Sequence, residues 1–93
     1  MIITKLRKAV TAVIIKKTVR FQDGLHSRNA MLLAELAREV NGDLKIVSKN
    51  GNPINIDCRS MISIILGQIL ENDAIEFETN SEYAKNKLDD IFK

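Results

Sequence analysis

The chain has very little with which to build covalent or metal cross-links. Cys58 is its one cysteine and His26 its one histidine, so no intrachain disulfide and no cysteine-cluster metal site can form. That usage fits a reduced, cytoplasmic setting, with Cys58 a small, semi-buried apolar residue rather than a redox group. A lone histidine without a cysteine cluster or acid dyad also argues against a metalloenzyme or a small hydrolase, and no cofactor is implied. Proline is equally scarce, with Pro53 alone, and neither an internal repeat nor a low-complexity block interrupts the chain. Long apolar runs are missing too. The run from Ala9 to Ile15 follows Lys5, Arg7 and Lys8 in the manner of an export signal. It is short, ends at Lys16-Lys17 and precedes no small-residue cleavage site, so neither export nor membrane insertion is expected.

What is present suits one small soluble domain. The 93 residues are 45% apolar and 28% charged, which is ordinary for a globular chain and argues against disorder. A net charge of +2 is too small to argue for nucleic acid. The excess is local: Lys5, Arg7, Lys8, Lys16, Lys17 and Arg20 all precede the first acidic residue, Asp23. This basic lead fits a solubilising strand-and-tail face, with an acidic partner or a membrane surface as the alternative. Residues 1–11 are set apart as a basic N-terminal extension and residues 12–93 as the domain.

The order of elements follows from periodicity. Ala12 to Phe21 is β-branched and reads as a strand that Gln22-Asp23-Gly24 breaks. From Ser27 to Val40 the apolar residues Ala30, Leu33, Ala34, Ala37 and Val40 recur at helical spacing, with Asn41-Gly42 as a left-handed stop. Two alternating strands around Leu44–Val47 and Ile54–Asp57 flank Asn50-Gly51, the signature of a tight hairpin. A second helix is expected from about Arg59 to Ile69. Its residues Met61, Ile62, Ile64, Ile65, Leu66 and Ile69 are too many to hide on one face, so some must be exposed or cover another element. A strand over Ala74–Thr79 follows, and Asn80 or Ser81 can cap a last helix with Ala84, Leu88 and Ile91 inward. The order β-α-β-β-α-β-α predicts an α+β, open-faced two-layer sandwich: a four-stranded antiparallel sheet covered on one side by three helices.

His26 stands directly ahead of the first helix, where backbone N–H groups have no intrahelical partner and the helix dipole favours an anion. Its imidazole is a nitrogen nucleophile suited to accepting a phosphoryl group. Gly24-Leu25-His26-Ser27-Arg28-Asn29-Ala30 resembles the G-[LI]-H-x-R-P-A segment of HPr, the histidine-containing phosphocarrier family of the bacterial sugar phosphotransferase system. Asp57-Cys58-Arg59-Ser60-Met61-Ile62 is similar to that family's regulatory serine segment, and the element order agrees from about residue 18 to 93.

The resemblance implies that His26 takes a phosphoryl group on its δ nitrogen from Enzyme I and passes it to a sugar-specific IIA domain. Arg28 would pair with the phosphoryl oxygens, and the backbone amides of Ser27 and Arg28 would hold them. Ser60 would be a site for a serine kinase. Met61, Ile62 and Ile65 would dock partners, a transcription regulator among them, with the protein a monomer lacking turnover of its own. The alternative is a non-relay regulatory binding module of the same fold, controlled by Ser60 phosphorylation. Asn29 stands where the family has proline, which bears on relay rate or partner choice. The loop before the histidine is shorter, and the stretch from hairpin to Ser60 longer, than the family's.

Overall fold

The structure is a computed structural model in which residues 12–92 are described; the extension assigned to residues 1–11 lies outside them. Its elements are β1 (Val13–Thr18), α1 (Ser27–Glu39), β2 (Lys45–Lys49), β3 (Asn52–Asp57), α2 (Met61–Leu66), β4 (Ala74–Thr79) and α3 (Glu82–Ile91). The strands form one antiparallel sheet in the order β1-β4-β2-β3.

Alternation along the strands decides which face of this sheet is dry. Ile15 faces Phe77, Phe77 faces Ile46, and Ile46 faces Ile56, so one row of apolar side chains crosses all four strands. All four are buried. The helices cover this face: α1 turns Ala30, Leu33, Ala34, Leu36 and Ala37 inward, and α3 adds Ala84 and Leu88. Phe92, just past α3, lies 5.4 Å from both Phe77 and Phe21 and closes the core at that end. The opposite face is polar, where Lys16 lies across from Glu76 and the Ser48 hydroxyl donates to Glu76 Oε1 at 2.8 Å. The open-faced sandwich with its helices on one side is thus as the alternation predicts.

Turns and caps are where the sequence expects them. Asn41 (φ +55°) and Gly42 (φ +84°) end α1 in left-handed conformations. Asn50 (φ +52°) and Gly51 (φ +84°) make the β2–β3 hairpin turn with the double positive φ that its geometry requires. Ser81, rather than Asn80, caps α3 by accepting the Ala84 N–H at 3.0 Å. Pro53 sits on edge strand β3, where its missing N–H costs no ladder bond.

Two elements are shorter than their sequence patterns. β1 ends at Thr18, although Val19 is fully buried. Its N–H donates to Asp73 O at 2.9 Å and its carbonyl accepts Asn72 N–H at 2.8 Å, which ties it to the turn before β4 instead of to a strand. α2 stops at Leu66, well short of Ile69. Gly67 closes it by donating to Ser63 O and Ile64 O, and Gln68 then turns left-handed at φ +51°. Cys58 is fully buried rather than half-buried; desolvation pushes its thiol up to about 12.

Candidate functional site

The loop carrying His26 is laid on the segment between α2 and β4. Gly24 makes this possible: at φ +71°, a Cβ there would lie 2.3 Å from the Ile69 carbonyl oxygen. The Leu25 N–H donates to that same oxygen at 2.9 Å, and the Leu25 side chain is buried. The chain then extends at His26 (φ −147°, ψ 160°) into the N-cap position of α1. An N-cap side chain ordinarily folds back onto the first-turn amides. His26 makes no such bond, and its ring is exposed, with Nδ1 3.1 Å from Ser27 Oγ.

Ser27 adopts φ +46°, an uncommon conformation for a residue with a side chain. The amides of Ser27 and Arg28 precede the first bond of the helix, in which the Asn29 N–H donates to the His26 carbonyl at 3.2 Å. The residue in the family's proline position therefore uses the N–H that proline would lack. Arg28 is exposed, one residue into α1.

Beside His26 a surface depression of about 350 Å³ is lined by Asp23, Leu25, His26, Ile65, Gln68, Ile69 and Leu70. Histidine and apolar surface therefore share one concavity. Of the expected docking residues, only Ile65 lines it. Ile62 is 70% exposed, whereas Met61 and Ile65 are half-buried against the core. Periodicity did not single out Leu66 and Leu70, which are 74% and 60% exposed. The surplus of apolar residues in this stretch was the available signal, but which of them face water depends on α2 ending at Leu66.

Ser60 lies outside this depression, half-buried at the N-cap of α2, where its Oγ accepts the Ser63 N–H at 3.1 Å. Its surroundings are fixed by a neighbouring ion pair. Arg59 Nη2 meets Asp57 Oδ2 at 2.7 Å, and the Arg59 N–H adds a further bond to Oδ1. These bonds hold the Asp57 carboxyl at about 2. Arg38 Nη1 reaches the Arg59 carbonyl at 3.3 Å, joining α1 to this corner. Among the described residues, no group of His, Cys, Asp or Glu side chains could hold a metal ion, and no helix is long and apolar enough to cross a membrane.

Fold and site together define a class: an open-faced α+β domain that presents an uncapped histidine at a helix start, beside an apolar concavity. Comparison with known proteins gives that class its family. The family described as "PTS HPr component phosphorylation site" matches residues 14–93. The chain belongs to this HPr family. Among solved structures, it resembles a phosphocarrier protein HPr from Bacillus anthracis at 25% identity and TM-score 0.66, over 87% of this chain and 93% of that one. It also resembles an HPr-C-His structure from Thermoanaerobacter tengcongensis at 18% identity and TM-score 0.72, over 86% of this chain and 90% of that one, a likeness of fold. No curated protein matches. Family and fold support a phosphocarrier role in the phosphotransferase system.

Proposed function

We propose that this protein is a phosphocarrier in which His26 takes a phosphoryl group from Enzyme I and passes it to a IIA domain. It would act as a cytoplasmic monomer. The observation that carries this reading is the His26 ring: it occupies an N-cap position yet leaves the cap unmade and faces water. With the Ser27 hydroxyl donating across the 3.1 Å contact, Nδ1 holds the lone pair and Nε2 the proton. Nδ1 then attacks phosphorus, a new P–N bond forms, and the donor's own bond to phosphorus breaks. The hydroxyl is freed to turn to a phosphoryl oxygen. Arg28 and the amides of Ser27 and Arg28 balance the charge of the phosphoryl group, which is most of what such a transfer asks of protein. Because the site is open to solvent, the group is held only modestly, as a relay requires.

Docking in this reading uses Met61, Ile62 and Ile65, extended by Leu66 and Leu70, a transient apolar surface beside the reacting nitrogen. Ser60 is the proposed target of a serine kinase. Its oxygen serves the cap as an acceptor, so phosphorylation would replace only the hydroxyl proton and leave the acceptor in place. The phosphate would place negative charge beside Met61 and Ile62 and repel an acidic partner, or recruit a transcription regulator instead.

Incubation with Enzyme I and phosphoenolpyruvate, followed by intact mass, tests the relay. A single acid-labile phosphoryl adduct is expected, absent from His26→Ala. Failure to form it, together with kinase-dependent, acid-stable phosphate on Ser60, would overturn the relay in favour of a regulatory binding module.

A further inference from the structure

We infer that Asp73 is a positioning residue for phosphoryl transfer, clasping the tip of the β2–β3 hairpin to the segment on which the His26 loop rests. The inference builds on the relay reading, and its geometry is independent of it. One carboxylate oxygen, Oδ1, accepts the Asn50 side-chain N–H at 2.8 Å; the other, Oδ2, accepts the Leu70 backbone N–H at 2.8 Å. The first partner belongs to the hairpin turn and the second to the strap itself, the segment between α2 and β4. Asn50 completes the join, since its Oδ1 accepts the Ala74 N–H at 2.8 Å and its own N–H donates to the Ala74 carbonyl at 2.7 Å. Neighbouring Lys49 extends its ammonium to the carbonyls of Gly67 and Gln68, at 3.2 and 3.4 Å. The end of the hairpin therefore grips the strap at Gly67, Gln68 and Asp73, and the start of β4 at Ala74.

What the strap carries explains why the grip matters. Leu70 is exposed and lines the depression beside His26, and the preceding carbonyl, that of Ile69, accepts the Leu25 N–H. Asp73 fixes the Leu70 turn from both ends, because its backbone N–H also donates to the Leu70 carbonyl at 3.1 Å. Val19 holds the far end of that turn through the Asn72 N–H and the Asp73 carbonyl. Asn72 passes through φ +77°, however, and Glu71 and Asn72 are exposed, so the Leu70 end and the join to the hairpin rest on the Asp73 side chain. Hydrogen bonds from Asn50 and from the Leu70 amide keep the Asp73 carboxyl below the ordinary carboxylate range, so the clasp is made by the charged form. A residue with no contact to the phosphoryl group thus sets where Leu70 meets a partner and how His26 is presented.

The test uses Asp73→Ala and, separately, Asn50→Gly, which removes the amide while keeping a residue at home at positive φ in the turn. With Enzyme I and phosphoenolpyruvate, both variants are expected to raise the KM for this protein roughly three- to tenfold while kcat stays near wild type, the pattern of a displaced Leu70 docking surface rather than lost chemistry. Hydrogen exchange at the Leu25 amide should quicken in both, while the core amides of Ile46 and Phe77 keep their wild-type rates. An unchanged KM with unchanged Leu25 exchange would overturn the proposal, as would quickened exchange shared equally by Ile46 and Phe77, which marks general loosening. If wild-type His26 accepts no phosphoryl group, the relay reading fails by itself. The Leu25 exchange then decides whether the clasp holds the loop.

Discussion

At Gly24 the backbone turns at φ +71° against the Ile69 carbonyl, and this one position fixes how the histidine is offered. A methyl group there meets backbone rather than a yielding side chain: the Ile69 oxygen at 2.3 Å and the Leu70 Cα at 2.9 Å. Gly24→Ala is therefore expected to cost about 1–3 kcal/mol from the left-handed strain, with more if the strap cannot shift. Urea unfolding measures the loss, and a midpoint equal to wild type would show that the loop is not seated as described. At this scale the sequence was largely legible. His26 stood out by being alone and by its neighbours, and Ser60 by the likeness of its segment to the family's regulatory serine segment. The left-handed Ser27 was not legible, since serine carries no signal for positive φ.

Elements were legible wherever one periodicity ruled. α1 has a single apolar stripe and a left-handed Asn-Gly stop, and its limits agree with the pattern to within a residue. α2 is the contrary case. Apolar residues run from Ile62 to Leu66 and resume at Ile69, so the pattern extends past the helix end at Gly67-Gln68. The chain leaves the helix at Gln68, which turns to φ +51°, while Gly67 before it is kept small by Ile56, whose Cδ1 a Cβ would meet at 2.7 Å. β1 likewise ends where its neighbour ends, at the first rung of β4, although its own alternation continues. Such limits are set by the partner element and cannot be read from one segment. The short α2 leans on its cap, so Ser60→Ala should lower stability by about 1 kcal/mol, and Ser81→Ala at α3 by a similar amount. Denaturant midpoints at constant m-value report this; no loss in Ser60→Ala would mean that tertiary packing alone holds α2.

For the molecule as a whole, stability is expected to fall on both sides of neutral pH, for opposite reasons. Asp57, Asp73 and Asp89 are held below the ordinary 3.8, by Arg59, by Asn50 and by Lys17 respectively. As pH falls from 3.8 toward about 2, the unfolded chain takes up protons that folded Asp57 still refuses, so its contribution is lost through that window. Asp57 and Asp89 are exposed and Asp73 is half-buried, which makes the loss modest and sensitive to salt. Cys58 acts at the other limit. Its thiol is fully buried and stays protonated to about 12, while an unfolded thiol ionises near 9.0. From 9.0 upward the unfolded state therefore gains an ionisation that the folded state does not, and stability declines with rising pH. Tyr83, raised chiefly by its hydrogen bond to Glu39, adds in the same direction. Urea midpoints measured from pH 2 to pH 11 should show a plateau with two falling limbs. Asp57→Asn should flatten the acid limb. Cys58→Ala should flatten the alkaline one, because only the thiol's share disappears with it. An alkaline slope unchanged in Cys58→Ala would mean that the decline does not come from the buried thiol.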